Sequence, residues 1–228
     1  MRTGAIQKYW PTTQSLDLVE GPIEAVATAV EAEVRRFNNP ELVETDWMIF
    51  RSLEEAFGAC QLFTNVPTFY LVLPTRSRWT VLWNNNFLCD GYDSLCYCVT
   101  QNHRMTTLHW SAHDESTTIQ PGASFTHRSM KAGVMVERSV YCGREDSHWI
   151  FHESGSPLPE EDASAYGAKQ KKDRLNESVM LALLERLEAR PWDEAFYDAG
   201  VSRCFVMRRP SFPASIIKRL PSKVLLAV

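Results

Sequence analysis

No stretch of this sequence is apolar for long enough to cross a bilayer: its apolar runs last a few residues, against the roughly 18 that a spanning helix needs. Behind Met1-Arg2-Thr3-Gly4 the chain turns polar, without the apolar segment of a secretory leader, so a soluble, cytoplasmic protein with no membrane contact is expected. Charge of one sign is missing too. With 24 Lys and Arg against 28 Asp and Glu, the formal charge of -4 argues against the basic domain or stripe of most nucleic-acid binders. The densest basic run, Lys169 to Arg174, falls in a segment that reads as helix and is expected to be a solvated face. Neither an internal repeat nor a low-complexity tract is present, which argues against solenoids and disordered tails.

Catalytic signatures are equally scarce. There is no Gly-x-x-x-x-Gly-Lys or Gly-x-Gly-x-x-Gly loop to cradle a phosphate, no His-Glu-x-x-His helix, and no Gly-x-Ser-x-Gly elbow to expose a serine nucleophile. His113-Asp114-Glu115 supplies the His-x-Glu half of a zinc deaminase signature, but the Pro-Cys-x-x-Cys half that completes the metal site is missing. Cys96-Tyr97-Cys98 has the wrong spacing and precedes the histidine. Without a leader, the six cysteines Cys60, Cys89, Cys96, Cys98, Cys142 and Cys204 read as reduced thiols that pack as small hydrophobes. Cys89, before Asp90-Gly91 at the foot of a helix, is the one thiol that a helix N-terminus would activate; a buried structural thiol is the plainer expectation.

What the chain does have is material for a core. Apolar residues are 44% of the 228, with 7 Trp, 11 Phe and 7 Tyr, and each aromatic ring buries roughly 150–250 Å². The expectation is one α+β domain over residues 1–228, with residues 1–65 as a candidate N-terminal subdomain.

Periodicity supplies the elements. Gly4 to Trp10 reads as a first strand. Gly21-Pro22 opens a helix in which Ile23, Val26, Ala27, Val30, Val34 and Phe37 recur at three- and four-residue steps until Asn38-Asn39-Pro40 stops it. Ser52-Leu53-Glu54-Glu55 has capping-box spacing and starts a short helix to about Ala59. Phe69 to Leu73 and Arg78 to Trp83 read as a hairpin around Pro74-Thr75-Arg76-Ser77, and a helix follows Asp90-Gly91-Tyr92-Asp93 to about His103.

In Met105 to His113 the apolar Leu108, Trp110 and Ala112 fall on one side of a strand and His109, Ser111 and His113 on the other. Ala123 to Arg128, Val134 to Cys142 and His148 to His152 continue the β pattern, the last two joined as a hairpin through Gly143-Arg144-Glu145-Asp146. Asn176 is the expected cap of a helix striped by Val179, Met180, Leu183, Leu184 and Leu187, and Val201 to Met207 is the expected last strand. The sum is an α+β fold, a central and mostly antiparallel sheet with helices packed on one face.

All six histidines, His103, His109, His113, His127, His148 and His152, lie within one stretch of 50 residues. Pairs four apart on a strand stand roughly 13 Å from each other, too far to share an ion, so no metal and no cofactor is expected. Two loops look suited to recognition. Trp83-Asn84-Asn85-Asn86 leads into Asp90, Tyr92 and Asp93, and Trp110 leads into His113, Asp114 and Glu115. Aromatics give contact area at low entropy cost and acids steer a basic partner, which makes these eleven residues the candidate partner-binding set; ordinary turns with capping amides are the plainer reading.

The run Trp149 to Glu161, followed by Tyr166 and by Asp173-Arg174-Leu175-Asn176, resembles the C-terminal part of small bacterial proteins of uncharacterised type. Trp79 to Asp93 is similar to segments of proteins encoded beside polymorphic toxins. This immunity-protein-like resemblance implies a non-enzymatic cytoplasmic protein whose partner is a bacterial toxin domain, neutralised by blocking its active site; it implies no catalytic residue. Two other readings stand beside it: an enzyme of undescribed motif on a histidine-rich sheet face, with His109, His113, His127 and Asp114 as first candidates, and a small-ligand binding module.

Overall fold

Nine strands form one sheet in the computed structural model, which describes residues 15–59, 68–84, 92–113, 121–198 and 204–209. In chain order they are β1 (Ser15–Glu20), β2 (Glu44–Met48), β3 (Thr68–Pro74), β4 (Trp79–Asn84), β5 (Thr107–His113), β6 (Gly122–Lys131), β7 (Val134–Glu145), β8 (His148–Ser154) and β9 (Cys204–Arg209). Across the sheet the order is β2-β9-β3-β4-β1-β5-β6-β7-β8, and every neighbouring pair is antiparallel. Among the described residues four α-helices accompany it: α1 (Ile23–Phe37), α2 (Leu53–Ala59), α3 (Tyr92–His103) and α4 (Glu177–Arg186). The α+β class and the antiparallel sheet are as expected. No helix among the described residues is long and apolar enough to cross a membrane.

The two long helices α1 and α3 share one face of the sheet. Val26, Val30 and Val34 of α1 and Leu95, Cys96 and Val99 of α3 pack there with Val19, Val72, Leu82, Phe205 and Met207 from the strands. The second face is covered by the shorter α2 and α4 and by 3-10 turns, over a core that includes Leu18, Leu71, Leu73, Val81, Trp83, Leu108, Trp110, Phe125 and Val140. Each fully buried Leu of this core contributes about 1.5–3 kcal/mol through area removed from water.

Local chemistry fixes the element ends. The Asn176 side chain accepts a hydrogen bond from the Val179 N–H at 3.0 Å and so caps α4. Ser52 Oγ accepts from the Glu55 N–H at 3.1 Å, while the Glu55 carboxylate reaches one residue past the cap to the Arg51 N–H at 2.6 Å. The β7–β8 hairpin differs from the expected one. Residues 143–145 are strand, and the turn is made by Asp146 and Ser147 with φ of 45° and 71°, the left-handed pair that a two-residue hairpin turn requires.

Two strands have no counterpart in the periodicity reading. β1 lies in the centre of the sheet and β2 at one edge; β1 is buried on both sides, so its Ser-Leu-Asp-Leu-Val-Glu sequence shows no wet face. The last strand is described over Cys204–Arg209; the part of the expected strand from Val201 to Arg203 lies outside the described residues. The first strand expected over Gly4 to Trp10 lies outside the described residues.

Candidate functional site

On the α3 side, strands β1 and β5 to β8 carry polar residues in register, set there by the two-residue alternation of each strand. One row runs Asp17, His109, Thr126, Ser139 and Ser154; the next runs Ser15, Ser111, Ser124, Tyr141 and His152. A third holds Thr107, Arg128 and Glu137. The hydroxyls bond one another across strands, Ser111 Oγ to Ser124 Oγ at 2.7 Å and Thr126 Oγ1 to Ser139 Oγ at 3.2 Å. Helix α3 lies over β1, β5 and β6. Away from it, Ser124, Thr126, Ser139 and Tyr141 are half-buried and His148, His152 and Ser154 exposed.

The polar rows are anchored beneath α3. Asp17, 1% exposed in the middle of β1, accepts a hydrogen bond from His109 Nδ1 at 2.9 Å. Its second oxygen, Oδ2, has no hydrogen-bond partner among the described residues. Burial works against a charged ring, but the charge and hydrogen bond of Asp17 outweigh it and hold the His109 pKa above the ordinary imidazole value. The Cys96 thiol of α3 is also in the cluster. Full burial first, and then the neighbouring Asp17 carboxylate, push it well above the usual thiol range, so it is a protonated packing group and not a nucleophile.

Arg128 of β6 closes the cluster. It is 4% exposed, gives one hydrogen bond to Glu137 at 2.6 Å and meets Asp93 in the first turn of α3 at 2.7 Å. Despite burial, these two carboxylates raise its pKa further, and it remains a fixed cation. Its Nη1 has no partner among the described residues. At the outer rows Tyr141 lies along its own strand over Gly143: a Cβ on that glycine would stand 2.2 Å from the phenol oxygen. Tyr141 hydrogen-bonds Glu145, and burial followed by that carboxylate raises its pKa. The charged groups that β1, β6, β7 and the first turn of α3 bring to this side are thus four carboxylates, Asp17, Asp93, Glu137 and Glu145, and one guanidinium, Arg128.

The expected recognition residues separate into three groups. Trp83 and Trp110 are 2% and 1% exposed in the core of the opposite face, and Asn84 is also buried, so their contact area lies inside the fold. The alternation had placed Trp110 on the apolar side of its strand, and burial follows from it. Asp93 is 63% exposed and is held by Arg128. Tyr92 and His113 are described as the first residue of α3 and the last of β5. Asn85, Asn86, Asp90, Asp114 and Glu115 lie outside the described residues.

The histidines divide as well. His127 pairs across strands with Leu108 and so faces the opposite side of the sheet from His109, where burial lowers its pKa. His103 sits between α1 and α3, its Nε2 3.0 Å from the buried Glu33 carboxylate. The set His109, His113, His127 and Asp114 is therefore not one site. Among the described residues no group of three or more His, Cys, Asp or Glu is arranged to hold a metal ion. Asp17 was not singled out by the sequence, and Cys96 was read only as a reduced packing thiol; the alternation in β5 gave His109 its face, and the carboxylate that holds it lies 92 residues away.

Chemically the arrangement offers a polar, hydroxyl-rich surface of negative charge with one imidazole whose protonated form is favoured. No protein-family model, curated protein or solved structure matches the chain.

Proposed function

We propose that this chain is a non-enzymatic protein-binding protein, and that the α3 side of strands β5 to β8 receives a basic surface of its partner. The observation that carries this reading is the charge of that face: the exposed Asp93, Glu137 and Glu145 against the buried Arg128, with Asp17 and His109 paired beneath α3. Acidic groups spread over a half-exposed sheet face attract a cationic patch at long range, which raises the rate of encounter and selects the sign of the partner. The cross-strand hydroxyls and Tyr141 supply hydrogen-bonding groups on a rigid backbone, the arrangement of a pre-organised interface.

The most concrete form of the proposal is a cytoplasmic immunity protein that blocks the active site of a bacterial toxin. Nucleic-acid-cleaving toxins have basic substrate grooves, and an acidic face is the shape of charge that occupies such a groove. This form rests on the resemblance of Trp149 to Glu161 and Trp79 to Asp93 together with the charge of the face.

The test compares native-lysate capture by the wild-type chain with capture by two charge reversals. Glu145→Lys alters the proposed face, whereas Glu185→Lys alters the exposed side of α4 on the opposite face. A basic protein retained by wild type and by Glu185→Lys but lost with Glu145→Lys supports the proposal. Capture that is indifferent to both reversals sinks it. For the immunity form, the captured protein must arrest growth when expressed alone and lose that effect when this chain is co-expressed.

A further inference from the structure

The pair of Asp17 and His109 is placed differently from an ordinary surface ion pair. Asp17 sits at the centre of the sheet, 1% exposed, while the His109 side chain is 17% exposed and turned to the polar face. Its Nδ1 is committed to Asp17 at 2.9 Å, so Nε2 is the nitrogen left to exchange a proton. Every element packed around the ring contributes a group that senses that proton: Asp17 from β1, Cys96 and Asp93 from α3, and Arg128 from β6, itself tied to Glu137 of β7. Thr126 stands directly across on β6. The Asp17 carboxylate is met by the His109 ring at Oδ1 and by the Cys96 thiol of α3, and of these two only the imidazole brings a positive charge.

We propose that the proton on His109 sets the charge of the β5–β8 face and thereby gates its affinity for a cationic partner. This rests on the reading of that face as the binding surface. With His109 protonated, the Asp17 charge is cancelled within the cluster, and the face presents Asp93, Glu137 and Glu145 against Arg128. When the proton leaves, the Asp17 charge is uncovered and the face gains one negative charge. A basic surface is then held more tightly as pH rises, in contrast to a simple surface of carboxylates, whose charge is constant across the neutral range.

The experiment uses a fluorescent oligolysine peptide as the probe and the full chain carrying His113→Gln, His148→Gln and His152→Gln, so that His109 is the imidazole left on β5 and β8. Peptide affinity is measured from pH 5.5 to 8.5 beside the imidazole NMR shifts of His109. The expected result is an affinity that rises on the order of fivefold, the effect of one charge several ångströms from a bound ammonium, with the same midpoint as the His109 shift. Adding His109→Gln should flatten the profile, and adding Glu145→Lys should weaken binding at every pH. A step that persists in full with His109→Gln, or a His109 that does not titrate in this range, overturns the gate while leaving the binding face intact. If oligolysine binds the Glu145→Lys chain as well as its parent at every pH, the reading of the face falls and the gate with it. Thermal unfolding of each variant separates loss of binding from loss of fold, and Asp17→Asn, which removes the charge that the proton cancels, must also flatten the profile.

Discussion

Arg138 of β7 and Glu161, in the chain that follows β8, form a forked ion pair: Nε donates to Oε1 at 2.9 Å and Nη2 to Oε2 at 2.8 Å, with both side chains almost completely buried. Every remaining direction is filled. Arg138 also donates to Glu153 and to the carbonyls of Ser154 and Gly155, and Glu161 accepts from the Leu158 N–H and the Tyr166 hydroxyl. Burial raises the Glu161 pKa, but the bonds from Arg138, Leu158 and Tyr166 outweigh it and hold the carboxyl below its ordinary value. This pair fastens the 155–166 segment over the second face of the sheet, opposite the polar rows, and so backs the strands that carry them.

Removing one partner of such a pair strands the other. Glu161→Ala takes three hydrogen bonds from a buried guanidinium that keeps Glu153 and two carbonyls, and the expected loss is about 3 kcal/mol, the low end for a broken buried pair. Urea unfolding monitored by tryptophan fluorescence reads it directly. A loss under about 1 kcal/mol, the value of an exposed pair, would show that water reaches the site.

Gly143 is needed for space and not for its backbone, because the Tyr141 ring lies where a Cβ would stand. Gly143→Ala therefore has to lift the ring and break its bond to Glu145. The expected cost is about 1–3 kcal/mol, as for an overpacked site, with a fall in the Tyr141 pKa as its carboxylate neighbour is lost. An ultraviolet titration of the phenol in both proteins checks the second point independently of stability.

What the sequence revealed and what it hid follow from the range of the interactions. Within β5, Leu108 and Trp110 alternate with His109 and Ser111, and that two-residue period placed each side chain on its correct face without any knowledge of neighbours. The same logic, weighed for loops, treated Trp83 and Trp110 as contact residues although their strand positions put both in the core. β1 escaped notice because its alternation, Leu16 and Leu18 against Ser15 and Asp17, lasts only four residues before Val19 breaks it, and its polar positions are buried as well. Asp17 could only be understood through His109, 92 residues on, and Arg138 only through Glu161. Periodicity reports which side a residue faces; it carries no information about which distant charge will meet it there.

Trp79 shows how a buried indole is kept in the core. Its Nε1 donates to the Leu187 carbonyl at 2.7 Å, tying β4 to the end of α4 across 108 residues of chain. Trp79→Phe keeps most of the packing but leaves that carbonyl without its donor, and the expected cost is about 1–3 kcal/mol, concentrated in faster hydrogen exchange at the last turn of α4. Uniform protection loss across the sheet would instead indicate that ring volume, not the hydrogen bond, is what matters.

The Asp17–His109 pair also makes stability depend on pH with a definite sign. The folded pKa of His109 lies above the ordinary imidazole value, since the Asp17 charge and hydrogen bond outweigh burial. The folded protein therefore binds this proton more tightly than the unfolded chain does. The stabilisation is fully present below the unfolded value of about 6.5 and is lost as pH rises through the folded one. Unfolding midpoints in urea should fall between pH 6 and the alkaline side of that transition, in the direction opposite to that of a paired carboxylate, whose contribution is lost on acidification. Replacing the histidine tests the assignment: His109→Gln should lower stability at pH 6 and remove the decline above it. If the variant keeps the decline, another group is responsible and the assignment to His109 falls.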